Sequence, residues 1–171
     1  MVSAALISKM KIALASDHAG YEQLKDLQEY LISQGHECQY LGPKKLDPQD
    51  DYPDFIIPAA RAVASGEAEA GILIGGDGEG EAMAANRIRG VRCAVFYGPA
   101  VAKTPVDIEG DVSNDPFEVI KLTRQHNNAN MLSLGARFLT QKDVQHAVKL
   151  WLDTPFSNVD RHVRRISKLD T

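Results

Sequence analysis

Apolar residues along this chain follow two alternating rhythms. Short unbroken runs, KIALAS at 11–16, ECQYL at 37–41, GILI at 71–74, VRCAVF at 91–96 and MLSL at 131–134, read as buried strands. Between them the period changes. Leu24, Leu27 and Leu31 fall at i, i+3 and i+7 within 20–34, a helical stripe that stops at Gly35. FIIPAARAVASG predicts a second helix ending at Gly66, and EAMAANRI at 81–88, 117–126 and 141–152 predict three more, the last with Thr140 as its N-cap. The C-terminal stretch 156–169 carries Val163, Ile166 and Leu169 on one side and arginines on another. Strands alternating with helices imply βαβ units, hence an α/β, three-layer, Rossmann-like domain with a five-stranded parallel sheet. One segment breaks the rhythm: KTPVDIEGDVSNDP at 103–116, an acidic loop longer than compact α/β connections usually are.

Composition narrows this only modestly. At 171 residues and 44% hydrophobic content, one domain is expected, spanning 11–171 with 1–10 as an extension. The net charge of −4 argues against a general nucleic-acid binder. No apolar run reaches the roughly 20 residues of a membrane span, and MVSAALISKM is too short for a secretory signal. Cys38 and Cys93 sit in strand-like runs without metal spacing, which fits small core residues of a reduced, cytoplasmic protein. No ligand spacing of His and carboxylates suggests a metal, and no cofactor motif is present.

Ligands of open α/β sheets bind beyond the carboxyl ends of the strands. The loops following the five runs offer Asp17 and His18, then Asp51-Tyr52-Pro53, then Gly75 to Glu81, then 103–116 with Arg124 to Asn128, and finally Gly135-Ala136-Arg137. These are expected on one rim. The glycine loop GGDGEGE is ambiguous by itself. It lacks the Lys-Ser/Thr of a P-loop and the spacing of a dinucleotide fingerprint. It is either a tight strand-to-helix turn or a set of backbone N–H groups that receives an anion.

SDHAG (16–20), DYPD (51–54), GILIGGDGEGEAMAAN (71–86), GVRCA (90–94), RQHNNANMLSLGAR (124–137) and RHVRRI (161–166) occur in an order that resembles the ribose-5-phosphate isomerase type B / galactose-6-phosphate isomerase family. The resemblance implies a metal-independent aldose–ketose isomerase of a phosphorylated sugar. It would work as a homodimer or a dimer of dimers, by ring opening and a cis-enediolate proton transfer, with ribose 5-phosphate of the pentose phosphate pathway as the first candidate. In one version of the family a cysteine directly after the third strand is the base; in the other a glycine stands there and a glutamate behind the loop acts instead. Here the two positions are Gly75 and Glu81, so Glu81 resembles the base. His126 is similar to the ring-opening acid and Asp17 to its helper, and His18 and Tyr52 to neighbours that bind sugar or phosphate. Asn127 and the backbone of Gly76, Asp77, Gly78, Glu79 and Gly80 resemble the hole for the enediolate oxygen. Arg137, Arg161 and Arg165 resemble a phosphate clamp assisted by His162, and the C-terminal helix is expected to reach the neighbouring subunit. His36 and His146 are expected at the surface.

Two features depart from the family pattern. Asp77 and Glu79 put acids into an anion loop, so their side chains should point outward. The segment 103–116 is expected on the active-site rim, with Val106, Ile108 and Val112 packed down and its carboxylates turned away. It leaves open a four- or six-carbon sugar phosphate, or a sugar-phosphate-binding protein without activity. A helix N-terminus also lowers a carboxylate's pKa, so Glu81 needs desolvation, expected on sugar binding, to serve as a base.

Overall fold

The five apolar runs form β1 (Lys11–Ser16), β2 (Glu37–Tyr40), β3 (Ala70–Gly75), β4 (Cys93–Phe96) and β5 (Met131–Gly135) in the computed structural model, which describes residues 9–171. The extension expected at 1–10 therefore lies, for residues 1–8, outside the described residues. The strands make one all-parallel sheet in the order β2-β1-β3-β5-β4. After β2 the chain crosses to the other side of β1, so the strand order reverses between β1 and β3. That is where such sheets open a crevice at their carboxyl ends.

Helices cover both faces. α1 (Tyr21–Ser33), α4 (Glu118–Asn127) and α5 (Gln141–Asp153) lie on one side, where Leu24, Leu27, Ile120, Val144 and Trp151 pack on Ile12, Leu14, Ile72 and Leu132. α2 (Pro53–Ala64) and α3 (Glu79–Ala85) lie on the other, with Ile56, Ala59, Ala60 and Ala85 on Ala13, Ala15 and Leu73. The strand alternation assigns these faces. Ile12 and Leu14 go one way and Ala13 and Ala15 the other, so the second face is lined by small residues and α2 sits close. Each fully buried Leu or Ile contributes about 1.5–3 kcal/mol, so the sheet is a rigid platform for the loops at its ends.

Four local expectations change. α3 starts at Glu79, two residues before the predicted boundary, because Gly78 takes a left-handed turn (φ 83°) that lets the helix begin at once. The C-terminal helix α6 covers only Asp160–Ile166. His36, expected at the surface, is buried at the foot of β2, where the Met10 amide donates to its Nδ1 at 3.4 Å; His146 is exposed as expected. In the insert, Ile108 and Val112 are 78% and 76% exposed rather than packed down, and only Val106 is half-buried. Polar contacts shape that segment instead. Asp107 accepts from the Asp111 amide, Ser113 donates to Glu118, and Lys121 bridges Asp115 and Glu118 at 3.0 and 2.6 Å.

Candidate active site

At the carboxyl end of β3, Gly75 leads into the glycine loop, and Glu81 follows in the first turn of α3, 3% exposed. Its carboxylate lies against Gly75. A Cβ placed on Gly75 would stand 1.9 Å from Glu81 Cδ and 2.0 and 2.2 Å from its two oxygens. The glutamate therefore fills the space that any side chain at 75 would need. Burial pushes the Glu81 pKa above its ordinary value, partly countered by a backbone N–H, while Asp17 and Asp77 push it up and His18 pulls it down. This desolvation, expected only with sugar bound, is already present in the chain by itself. The helix N-terminus does not prevail.

The loop around the carboxylate is tightly fixed. Gly78 C=O accepts from the buried Ser133 hydroxyl at 2.7 Å, and the Arg137 amide donates to Gly76 C=O at 3.1 Å. The Arg137 guanidinium lies over Gly76 and the Tyr52 ring over Gly80, each about as close as a Cβ there would permit, at 3.1 and 3.0 Å. Asp77 is exposed and its Oδ1 accepts from the Glu79 amide at 3.0 Å, so this acid caps the loop from outside as expected. Glu79 is half-buried and lines an open groove with Met83, Arg87 and Val95, on the outer side of α3. Across the crevice Asp17, 8% exposed, accepts from the Ala19 amide at 2.9 Å. His18 next to it holds Asp50, with Nδ1 2.6 Å from Oδ1 and its own amide 3.2 Å from the same oxygen. Asp17, Asp50 and His18 bring their ligating atoms within 4.8 Å of one another, and the 2.6 Å approach of Nδ1 to Asp50 Oδ1 is a hydrogen bond.

His126, Asn127, Arg161, His162 and Arg165 do not join this rim. α4 runs back against the sheet, so its last turn, with His126 and Asn127, lies at the amino ends of the strands. Arg92, just before β4, donates from Nε to the carbonyls of Asn127 and Asn128, and Asn130 C=O accepts from the Gly71 amide at the start of β3. The six residues of β3 separate this group from Glu81 by roughly 15–20 Å. The expectation of one rim within one chain is thus corrected: a helix that returns to start the next parallel strand must end at the strand's amino end.

The remote group is itself organised. The His126 and His162 rings lie 4.4 Å apart, and His162 is buried with Ser157 Oγ at 3.1 Å from its Nδ1. Burial, then His162 and Arg161, hold the His126 pKa below the ordinary histidine value. Arg161 meets Glu109 of the insert through two hydrogen bonds of 3.0 and 3.2 Å, while Arg165, one turn on, is exposed. Burial raises the two thiols, Cys38 to about 11 and Cys93 to about 12, so both stay protonated at neutral pH.

Asp50 was not singled out by the sequence. DPQDDYPD offers four aspartates, and nothing in the pattern distinguishes Asp50, which turns inward to His18, from its neighbour Asp51, which is exposed.

The family model described as Ribose/Galactose Isomerase matches residues 12–110 and 112–169, so the chain belongs to that family. It is 36% identical over 163 residues to ribose-5-phosphate isomerase B of Mycobacterium tuberculosis, covering 95% of this chain and 90% of that protein. A ribose 5-phosphate isomerase of Thermotoga maritima superposes with a TM-score of 0.80 at 36% identity, covering 94% of this chain and 97% of that one. Ribose-5-phosphate isomerase B of Mycoplasma genitalium with bound ribulose-5-phosphate gives 0.79 at 35% identity, covering 93% of each chain. No described helix is long and apolar enough to cross a membrane.

Proposed function

We propose that this protein is a metal-independent aldose–ketose isomerase that converts ribose 5-phosphate to ribulose 5-phosphate, with Glu81 as the base. The observation that carries the assignment of the base is the Glu81 carboxylate lying in the space above Gly75, buried and raised in pKa beside a loop of backbone N–H groups. A raised pKa gives a carboxylate that accepts a carbon-bound proton more readily and gives it back. The names of the relatives, and the ribulose-5-phosphate bound in the Mycoplasma genitalium enzyme, support the substrate.

The chemistry follows from which groups can meet. In the open-chain sugar Glu81 takes the proton from C2 and the electrons form a cis-enediolate. The N–H groups of the Gly76–Gly80 loop other than that of Glu79, which Asp77 holds, would face the charge that develops on oxygen. Glu81 then returns the proton to C1, and the hydroxyl proton of O2 ends on O1, so no atom is gained or lost. Ring opening needs an acid at the ring oxygen, the role proposed for His126 with Asp17 assisting.

His126 is too far from Glu81 in its own chain, so the working unit is a homodimer. The partner subunit's His126 and the partner's Asn127 would complete the sugar site. The partner's Arg161, the partner's His162 and the partner's Arg165 would hold the phosphate opposite Arg137, with His18 and Tyr52 on the wall. Residues 11–171 act as one isomerase domain, in the cytoplasm.

A panel of four-, five- and six-carbon sugar phosphates, assayed for ketose formation, tests the reading. Ribose 5-phosphate is expected to react best, and Glu81→Gln to lose about 10²- to 10⁴-fold in kcat while still binding the sugar phosphate. No conversion of any member would leave a binding protein, and near-native turnover by the variant would move the base elsewhere.

A further inference from the structure

Asp50 has no part in the proton transfer described above, yet it is held in an unusual way. Its side chain is 8% exposed, and the two donors it has, the amide and the ring Nδ1 of His18, both belong to one residue and meet one oxygen. The second oxygen, Oδ2, is buried and takes no hydrogen bond among the described residues. A buried carboxylate with one oxygen idle depends on its cationic partner, because removing one member of a desolvated charged pair strands the other. His18 gains in turn. With Nδ1–H committed to Asp50, its tautomer and ring orientation are fixed, and Nε2 makes no hydrogen bond among the described residues.

We propose that Asp50 is a positioning residue that keeps His18 an imidazolium and presents its Nε2–H to the phosphorylated sugar. The proposal rests on the isomerase reading above and identifies which group on this rim is a standing cation beside Arg137. The charged surroundings favour it. Asp17 lies 3.7 Å from the His18 ring as a second carboxylate, Glu81 is a third nearby acid, and Arg137 is the opposing charge from the described residues of the same chain. The Asp50 hydrogen bond raises the His18 pKa above the ordinary 6.5, burial works against it, and Asp17 adds to the rise. The sign gives the pH window: the cation persists above the pH at which a free histidine would lose its proton, and substrate affinity persists with it.

Asp50→Asn keeps the shape and removes the charge. Two readouts test it together. In an NMR titration of the free protein, the His18 midpoint should lie above 6.5 in the wild type and fall in the variant. The KM for ribose 5-phosphate should rise severalfold in the variant just above pH 6.5, where the wild type keeps the cation and the variant loses it, and less than about twofold near pH 5.5, with kcat far less affected. A merely structural role would raise KM equally at both pH values, and that result, or an unchanged His18 midpoint, overturns the proposal. If Asp50→Asn does not fold, a wild-type midpoint at or below 6.5 overturns it, and one above 6.5 supports it. The titration needs no substrate, so an inactive wild type would refute the isomerase reading without touching the His18–Asp50 pair.

Discussion

Replacing Gly75 by alanine separates the catalytic reading of Glu81 from a structural one. The new methyl would stand 1.9 Å from Glu81 Cδ, against an ordinary contact of 3.4 Å, so the carboxylate must retreat by about 1.5 Å, the difference of the two. What it meets is the far end of a side chain and not backbone, so the fold can absorb the change by turning Glu81 away. Gly75 is a regular strand end paired with Gly135, and its φ lies outside the left-handed region, so alanine brings no backbone strain. Stability should change by about 1 kcal/mol or less, a few degrees in Tm for a chain of this size. A base misplaced by 1 Å costs about 10²-fold. Gly75→Ala is therefore expected to lose about 10²-fold in kcat with a near-native melting curve, measured by ketose formation and thermal unfolding on the same preparation. Activity within about threefold of the wild type would mean that the position of Glu81 above Gly75 has no catalytic importance.

Two further outcomes follow from charges near the site. Glu109 occupies the guanidinium of Arg161 that a phosphate would need, and an exposed ion pair is worth about 1 kcal/mol at most, so Glu109→Gln should lower the KM for sugar phosphates by up to about fivefold; a higher KM would show that Glu109 assists the clamp. Glu81 has a folded-state pKa above its ordinary 4.5, so the folded chain binds the proton more tightly, and stability must fall as pH rises from 4.5 through the raised value. Glu81→Gln removes that cost, so the variant should melt higher than the wild type at neutral pH and equally below the window. A constant difference across pH would contradict the burial of a charged carboxylate.

What the sequence conveyed, and what it hid, has a physical pattern. The five strands and the stripe of Leu24, Leu27 and Leu31 were legible because burial imposes a period on the apolar positions. The family resemblance singled out Gly75 and Glu81 as a pair, and the structure places the Glu81 carboxylate against Gly75. The strand order was not legible, whereas the location of His126 follows from the parallel connections themselves, whatever that order. A motif read as a loop beyond strand four lies at the opposite end of the sheet, because helix direction depends on where the next strand must begin. Ile108 and Val112 failed differently. Apolar residues in a long loop need a surface to pack on, and in this chain Lys121, Ser113 and Arg161 fix the insert through polar contacts instead.

The central claim is that one catalytic site is built from two chains, with the base on one and the clamp on the other. Mixing Glu81→Gln chains with chains carrying both Arg161→Ala and Arg165→Ala tests it most directly. Each variant should be inactive alone. After subunit exchange half the dimers are mixed, each with one intact site of two, so activity should recover to about a quarter of the wild-type value. No recovery, with mixed dimers demonstrated by native mass spectrometry, would show that each clamp serves its own chain and would contradict the account.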